Sequence, residues 1–397
     1  MDLELMDKEY LLHSYNKNYT NFVEGKNARV YDENGKEFID FGSGIAVNSI
    51  GHSHPKLVQA ICEQAKRIIH ISNLQVIKPQ VELAKRLIEL SGFDMRCFFG
   101  NSGAEANEGA LKIARKYGEV NFEEKKFKVI TLKHSFHGRT ITTLKATGQS
   151  SMHKSDFSPY PDGLEYAESI DNIYDKIDSK TVAVMIELVQ GEGGVEPFEK
   201  EQIQALAKFL KKEGLLLIVD EVQTGVYRTG EFLASNLYKI EPDIITLAKG
   251  LGGGVPIGVV MTSLKDIFSP GDHGSTFGGN YLSTRAGLTV LEVLEEEKKS
   301  KRLEETIKYF NEKLDHVALL DDLFIKKVGV GLMLGLRAKS SSIQSKIVQE
   351  AFNEGLIILK AGRDTVRFLP PLTITKDEID EGFKRLEQAI VKIQATL

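Results

Sequence analysis

VAVMIEL at 182–188, KEQIQALAKFLKKEG at 200–214 and LLLIVDE at 215–221 read, in direct succession, as an apolar strand, a helix and a second apolar strand. Near-continuous apolar runs of this length are the pattern of strands covered on both faces. Outward from this unit the alternation continues between about 51 and 290. CFFG near 97, FKVITL at 127–132 and DIITLA at 243–248 are further strand candidates; VELAKRLIEL at 81–90 and AEANEGALKIARKYG at 104–118 are helices. Strands alternating with helices predict an α/β fold with a mostly parallel central sheet. Ligands of such folds bind at the carboxyl ends of the strands, so the residues that follow each strand are the first candidates for a site.

The flanks differ. ARVYD and EFIDF enclose Glu33-Asn34-Gly35-Lys36, a tight-turn signal between two apolar runs, which predicts a hairpin within 26–50. Leu303, Ile307, Phe310 and Leu314 make one apolar helix stripe. Thr375 and Glu378 form a capping-box pattern ahead of Ile379, Phe383, Leu386, Ile390 and Ile393. Strand candidates at 323–337 and 365–369 lie between these helices. The expected organisation is a large domain at 51–290 and a smaller α+β domain from 1–50 and 291–397. EEEKKSKR at 295–302 reads as a solvated helix face.

With 51 basic and 56 acidic residues the net charge is −5, without the basic excess of nucleic-acid binders. Cys62 and Cys97 sit in apolar contexts and read as buried core thiols, and no metal-ligand spacing occurs. MDLELMDKEY has neither the basic nor the apolar region of a signal peptide. LLLIV at 215–219 is far shorter than the roughly 18 residues that span a bilayer. The expectation is a cytoplasmic protein with no nucleic-acid, membrane or metal partner.

Six constellations carry chemistry. Asp220 follows five apolar residues; a carboxylate there either caps the next loop or meets a buried cation, such as a protonated pyridine nitrogen. Lys249 stands between DIITLA and the glycine-rich GLGGG. It is either a phosphate contact or exposed charge, or a desolvated amine with the lowered pKa of a Schiff-base nucleophile. GLGGG fits neither a Walker loop nor GxGxxG. In NSGAEANEGALKIARK at 101–116, Asn101 or Ser102 is a helix N-cap, and the amides of Gly103 and Ala104 face a potential phosphate. In HSFHGRT at 134–140, Phe136 packs in the core or stacks on a flat cofactor, and Arg139 suits a carboxylate. His134 and His137 have no metal-type partner and read as structural. Glu192, among the glycines of QGEGG, is a solvated loop residue or projects into a cleft. Ser275 and Thr276 in HGSTFGGN offer hydroxyls.

In order and spacing these blocks resemble the class III aminotransferases of the type I pyridoxal-phosphate (aspartate-aminotransferase-like) fold, most closely their acetylornithine branch. DFGSGIAVNSIGHSHP (40–55), NSGAEANE, SFHGRT, ELVQGEGGV, DEVQTGVYRTG (220–230), PDIITLAKGLGGGVPIG (242–258), HGSTFGGN and RFLPPLTI (367–374) carry the resemblance nearly end to end. It implies pyridoxal 5'-phosphate as cofactor, with Lys249 as the Schiff-base lysine and Asp220 as the pyridinium partner. Val222 and Phe136 would flank the ring, and Gln223 would reach its phenolic oxygen. Ser102, Gly103, Ala104 and Glu221 complete the expected cofactor set, with Thr276 reaching the phosphate from the other subunit of a homodimer. Arg139 would bind the α-carboxylate of N-acetylornithine, with Ser275 also at the substrate. Arg367 would bind that of glutamate or 2-oxoglutarate, with Glu192 neutralising it between times. The relatives acting on free ornithine carry tyrosine where Ile45 stands, which favours an N-acylated substrate; succinyl-diaminopimelate and ornithine are the alternatives. The GEGG segment at 191–194 is missing from the similar aminomutases.

Overall fold

The computed structural model describes residues 2–395 apart from Lys154 and Asp321. A seven-stranded sheet dominates, in the order Arg96–Gly100, Gly258–Thr262, Ile244–Leu247, Leu216–Asp220, Thr181–Ile186, Lys128–Leu132, Leu164–Ala167. Gly258–Thr262 runs antiparallel to both neighbours, and the remaining pairs are parallel. This is the mostly parallel sheet that the alternation predicts. Two of its strands carry weaker signals. Leu164–Ala167 is a partly exposed edge, and Gly258–Thr262 returns straight out of the glycine-rich loop without an intervening helix.

Alternate residues of each strand serve opposite layers. Leu217 and Val219 point into one apolar cluster with Ile203, Leu206 and Leu210 of the helix Lys200–Lys212. Leu216 and Ile218 point into another with Ala110, Ile113 and Ala114 of the helix Gly103–Val120. Burying a large aliphatic side chain contributes about 1.5–3 kcal/mol, so two covered faces hold each central strand firmly. The strand ends that carry the site inherit that rigidity.

The predicted hairpin is present: Arg29–Asp32 pairs antiparallel with Glu37–Asp40, and Gly35 takes the left-handed turn position at φ 79°. Its sheet also includes Leu356–Ile357, parallel to Glu37–Asp40, so the chain's two ends share hydrogen bonds. A second small sheet is antiparallel: Phe324–Val330, Met333–Ala338, Thr365–Phe368 and Leu359–Ala361. In the chain the helix Tyr281–Lys299 follows the strand Gly258–Thr262, runs continuously across residue 290 and packs on the helices Pro55–Ala65 and Lys78–Ser91. The capping box at the last helix forms as expected, with Glu378 N donating to Thr375 Oγ1 and Thr375 N to Glu378 Oε2.

Two expectations are corrected. Cys62 is exposed on the helix Pro55–Ala65, because that helix buries Leu57 and Ala60 instead; Cys97 is partly buried. Within 295–302, Glu295 is not solvated but 7% exposed, accepting from Arg86 Nε at 2.8 Å. A cation brought from the helix Lys78–Ser91 makes its burial tolerable.

Candidate active site

The carboxyl ends of the parallel strands meet at a cavity of about 410 Å³, whose walls include Gly103, Phe136, Glu187, Asp220, Val222 and Lys249. Each arrives as the residue at, or just beyond, a strand end or helix start. Asp220 closes Leu216–Asp220; Lys249 lies two residues past Ile244–Leu247; Glu187 directly follows Thr181–Ile186. Lys249 has φ 42°, an unusual left-handed backbone for a lysine. Burial lowers its pKa below the ordinary ammonium value, against the opposing charges of Glu192 and Asp220. A lysine shifted that way presents more free amine near neutrality.

Asp220 is 4% exposed, and both of its oxygens have polar contacts. Oδ2 lies 2.8 Å from both His137 Nδ1 and Asn107 Nδ2, and Oδ1 accepts from Val222 N at 3.0 Å. Among the described residues no lysine or arginine pairs with it; its one ionisable contact is His137. His137, read from the sequence as structural, and Asn107, which the sequence did not single out, both line the cavity. Asn107 follows Gly103 by one helical turn and so shares its face, a signal available from spacing. His137 Nε2 and Asn107 Oδ1 are buried without protein partners.

Ser102 caps the helix Gly103–Val120, its Oγ accepting from Glu105 N. The first helical amides, those of Gly103 and Ala104, have no intrahelical carbonyl to bond and open on the cavity. A Cβ at Gly103 would stand 2.7 Å from Val222 Cγ1, so only glycine admits this approach. Arg139 is exposed at the mouth, its guanidinium 5.7 Å from the Phe136 ring centroid.

Arg367, 2% exposed on the strand Thr365–Phe368, donates to Glu192 Oε1 at 2.6 Å and to Gln223 Oε1 at 3.3 Å. Gln223 lines the cavity and so joins the pair to it. Burial opposes ionisation of Glu192, but Arg367 outweighs it and holds the carboxyl below its usual range.

Three expected residues lie elsewhere. Glu221 is fully buried and does not line the cavity; its carboxylate accepts from Thr224 Oγ1, Ala234 N, Ser235 N and Ser235 Oγ. Its place in the cofactor set is therefore corrected: next to Asp220 in the chain, its side chain takes another direction and anchors the helix Ala234–Tyr238. Ser275 and Thr276 line a neighbouring cavity with His70, Asn73 and Gln80. The two cavities adjoin at Asn101, whose amide donates to Ser275 Oγ at 3.2 Å.

A covered parallel sheet, a strand-end carboxylate that among the described residues pairs with no lysine or arginine, a desolvated lysine and a helix N-terminus on one cavity define an enzyme of the type I aminotransferase fold. The chain belongs to the class III aminotransferases, whose family model matches residues 11–390. It is 58% identical to the acetylornithine aminotransferase of Wolinella succinogenes over 98% of this chain and 99% of that one. It is 42% identical to a succinylornithine transaminase of Salmonella agona, over 94% and 92% of the two chains. The ornithine aminotransferase of Toxoplasma gondii superposes with a TM-score of 0.93 at 32% identity, covering 100% of this chain and 96% of its own. A second structure of that enzyme carries pyridoxal phosphate at partial occupancy in its active site.

Proposed function

We propose that this chain binds pyridoxal 5'-phosphate and transfers the terminal amino group of N-acetylornithine to 2-oxoglutarate, yielding glutamate. The observation that carries the reading is the Arg367–Glu192 pair beside the lysine cavity. An enzyme that alternates between an amine with one carboxylate and a dicarboxylate needs a second carboxylate site that is neutralised between times. The cavity fits the cofactor: among the described residues Asp220 pairs with no lysine or arginine, and the helix-start amides of Gly103 and Ala104 belong to the cavity wall.

When bound, pyridoxal phosphate supplies an electron-withdrawing ring that eases proton removal from the amine-bearing carbon. Asp220, oriented by His137 and Asn107, would hold a proton at the ring nitrogen. Phe136 and Val222 would confine the two ring faces, and Gln223 would reach the phenolic oxygen. The amides of Gly103 and Ala104 hold the phosphate, the N-terminus of their helix favouring an anion. Lys249 Nζ would take the proton from the amine-bearing carbon of the substrate and hold it for return on the cofactor side. Arg139 binds the α-carboxylate of acetylornithine, and Ser275 stands beside the substrate. Arg367 binds the dicarboxylate when Glu192 yields. In this reading Ile45, 41% exposed, borders the neutral acetamide.

The working unit in this proposal is a homodimer. Leu74 is 89% and Phe277 61% exposed beside the cavity of Thr276. A second copy packed on that face covers them and places its own Thr276 at the first copy's phosphate.

Steady-state assays with saturating 2-oxoglutarate test the substrate. Free ornithine leaves an ammonium beside Ile45 without a partner, so kcat/KM for acetylornithine exceeds that for ornithine by roughly a hundredfold. A ratio near one overturns the acetylornithine reading.

A further inference from the structure

From Ser43 to Ala46 the backbone is left-handed at four successive residues, with φ of 48°, 60°, 64° and 63°. Gly44 adopts this freely, but Ser43, Ile45 and Ala46 each bring a Cβ against the following carbonyl oxygen, an unfavourable contact at every step. Ser43 adds a second penalty, since its side chain is fully buried and its Oγ has no hydrogen-bond partner. Residues strained in this way persist only where the surroundings over-determine them.

The surroundings are explicit. Asp40 Oδ1 accepts from Gly42 N and Ser43 N, both at 2.8 Å, while its Oδ2 lies 2.8 Å from His52 Nε2. Leu369 N donates to Phe41 O at 2.6 Å, and Leu372 N to Ser49 O at 2.7 Å. Ser49 Oγ donates to Gly250 O at 2.5 Å. Ala46 packs in one buried cluster with Val189, Val195 and Leu369. A Cβ at Gly250 would lie only 3.3 Å from Ala46 O, so this contact is backbone against backbone.

The turn therefore touches three pieces of chain that otherwise belong to different sheets. Gly250 follows Lys249. Val189 and Val195 flank the loop bearing Glu192. Leu369 stands two residues beyond Arg367. We propose that the left-handed turn 43–46 is a positioning element that sets the Glu192–Arg367 pair relative to Lys249, its strain retained for that alignment. The inference rests on the reading of Arg367 as the dicarboxylate arginine.

Two variants of the holoenzyme test it. Ser43→Gly relieves both penalties, and the relief exceeds the added freedom of glycine in the unfolded chain. Its Tm rises by about 2 °C. The turn also loosens: amide hydrogen exchange at Ala46 and Gly250 quickens, and kcat/KM in the 2-oxoglutarate half-reaction falls roughly tenfold, the scale of a small misalignment. The acetylornithine half-reaction, which does not use Arg367 and meets this turn only at the unaltered Ile45 side chain, falls less. Ser43→Ala removes the hydroxyl but keeps the strained backbone, so it gains stability without losing kcat/KM. A less stable Ser43→Gly overturns the strain. A more stable and fully active one, or equal losses in both half-reactions or in both variants, overturns the alignment. Arg367→Ala is the separate control: equal damage to both half-reactions there refutes the assignment of Arg367, while the exchange rates and Tm values of the Ser43 variants still judge the turn.

Discussion

At Glu187 the site holds a second carboxyl beside Asp220, accepting from Phe136 N at 2.9 Å and from Gly191 N at 3.4 Å. Burial raises its pKa from the ordinary 4.5 to about 7; His137 opposes the rise and the charge of Asp220 adds to it. The folded state holds this proton more tightly than the unfolded chain does. The associated stability is complete below the ordinary value and is lost as pH rises through the folded one. Glu187→Gln is neutral throughout and escapes that loss. The Tm of the variant relative to the natural protein should therefore rise between about pH 5 and about pH 8. Thermal melts at both pH values check this, and a constant difference would speak against a titrating Glu187.

The element that most directly prepares the cavity is the N-terminus of the helix Gly103–Val120. Its cap, Ser102, fixes the direction of the first turn, and Gly103 lets Val222 approach. Gly103→Ala forces a Cβ to within 3 Å of both Val222 methyls unless one of them moves. Either movement disturbs the proposed phosphate amides or the ring face, while the helix itself gains in propensity. Overpacking of this kind costs about 1–3 kcal/mol, so affinity for pyridoxal phosphate should fall about tenfold or more with little change in helical circular dichroism. Absorbance titration of the apoprotein measures it; unaltered affinity would separate this helix end from the cofactor.

Across the whole molecule, the exposed apolar residues are unevenly placed. Leu74, Val76 and Phe277 are 89%, 83% and 61% exposed, with Ile69 and Ile71 nearby in the chain. A face of this kind suits a permanent interface, whose stable examples bury more than about 1,000 Å². Leu74→Asp with Val76→Asp should break the proposed homodimer into monomers in sedimentation, and the monomer should hold the cofactor more weakly if a second copy's Thr276 serves the phosphate site. A monomeric natural protein, or a monomeric variant with undiminished cofactor affinity, would rule out a phosphate site shared between copies.

Local pattern alone carried a good deal of this protein. The alternation of apolar runs and helices defined the parallel sheet, and position after a strand singled out Asp220 and Lys249. The Thr375–Glu378 cap was legible because both partners lie within one helical turn. Other features needed the folded chain. Asn107 reaches Asp220 across 113 residues and Arg86 reaches Glu295 across 209, while the pairing of Arg367 with Glu192 across 175 was expected from the family resemblance and not from local pattern. The antiparallel return of Gly258–Thr262, the exposure of Cys62 and the diversion of Glu221 from the cavity were likewise settled by tertiary packing. Periodicity records which side of an element faces the core, because that depends on neighbours three or four residues away. Which polar groups meet inside the core depends on how separate elements pack, and burial compels them to find partners wherever in the chain those lie.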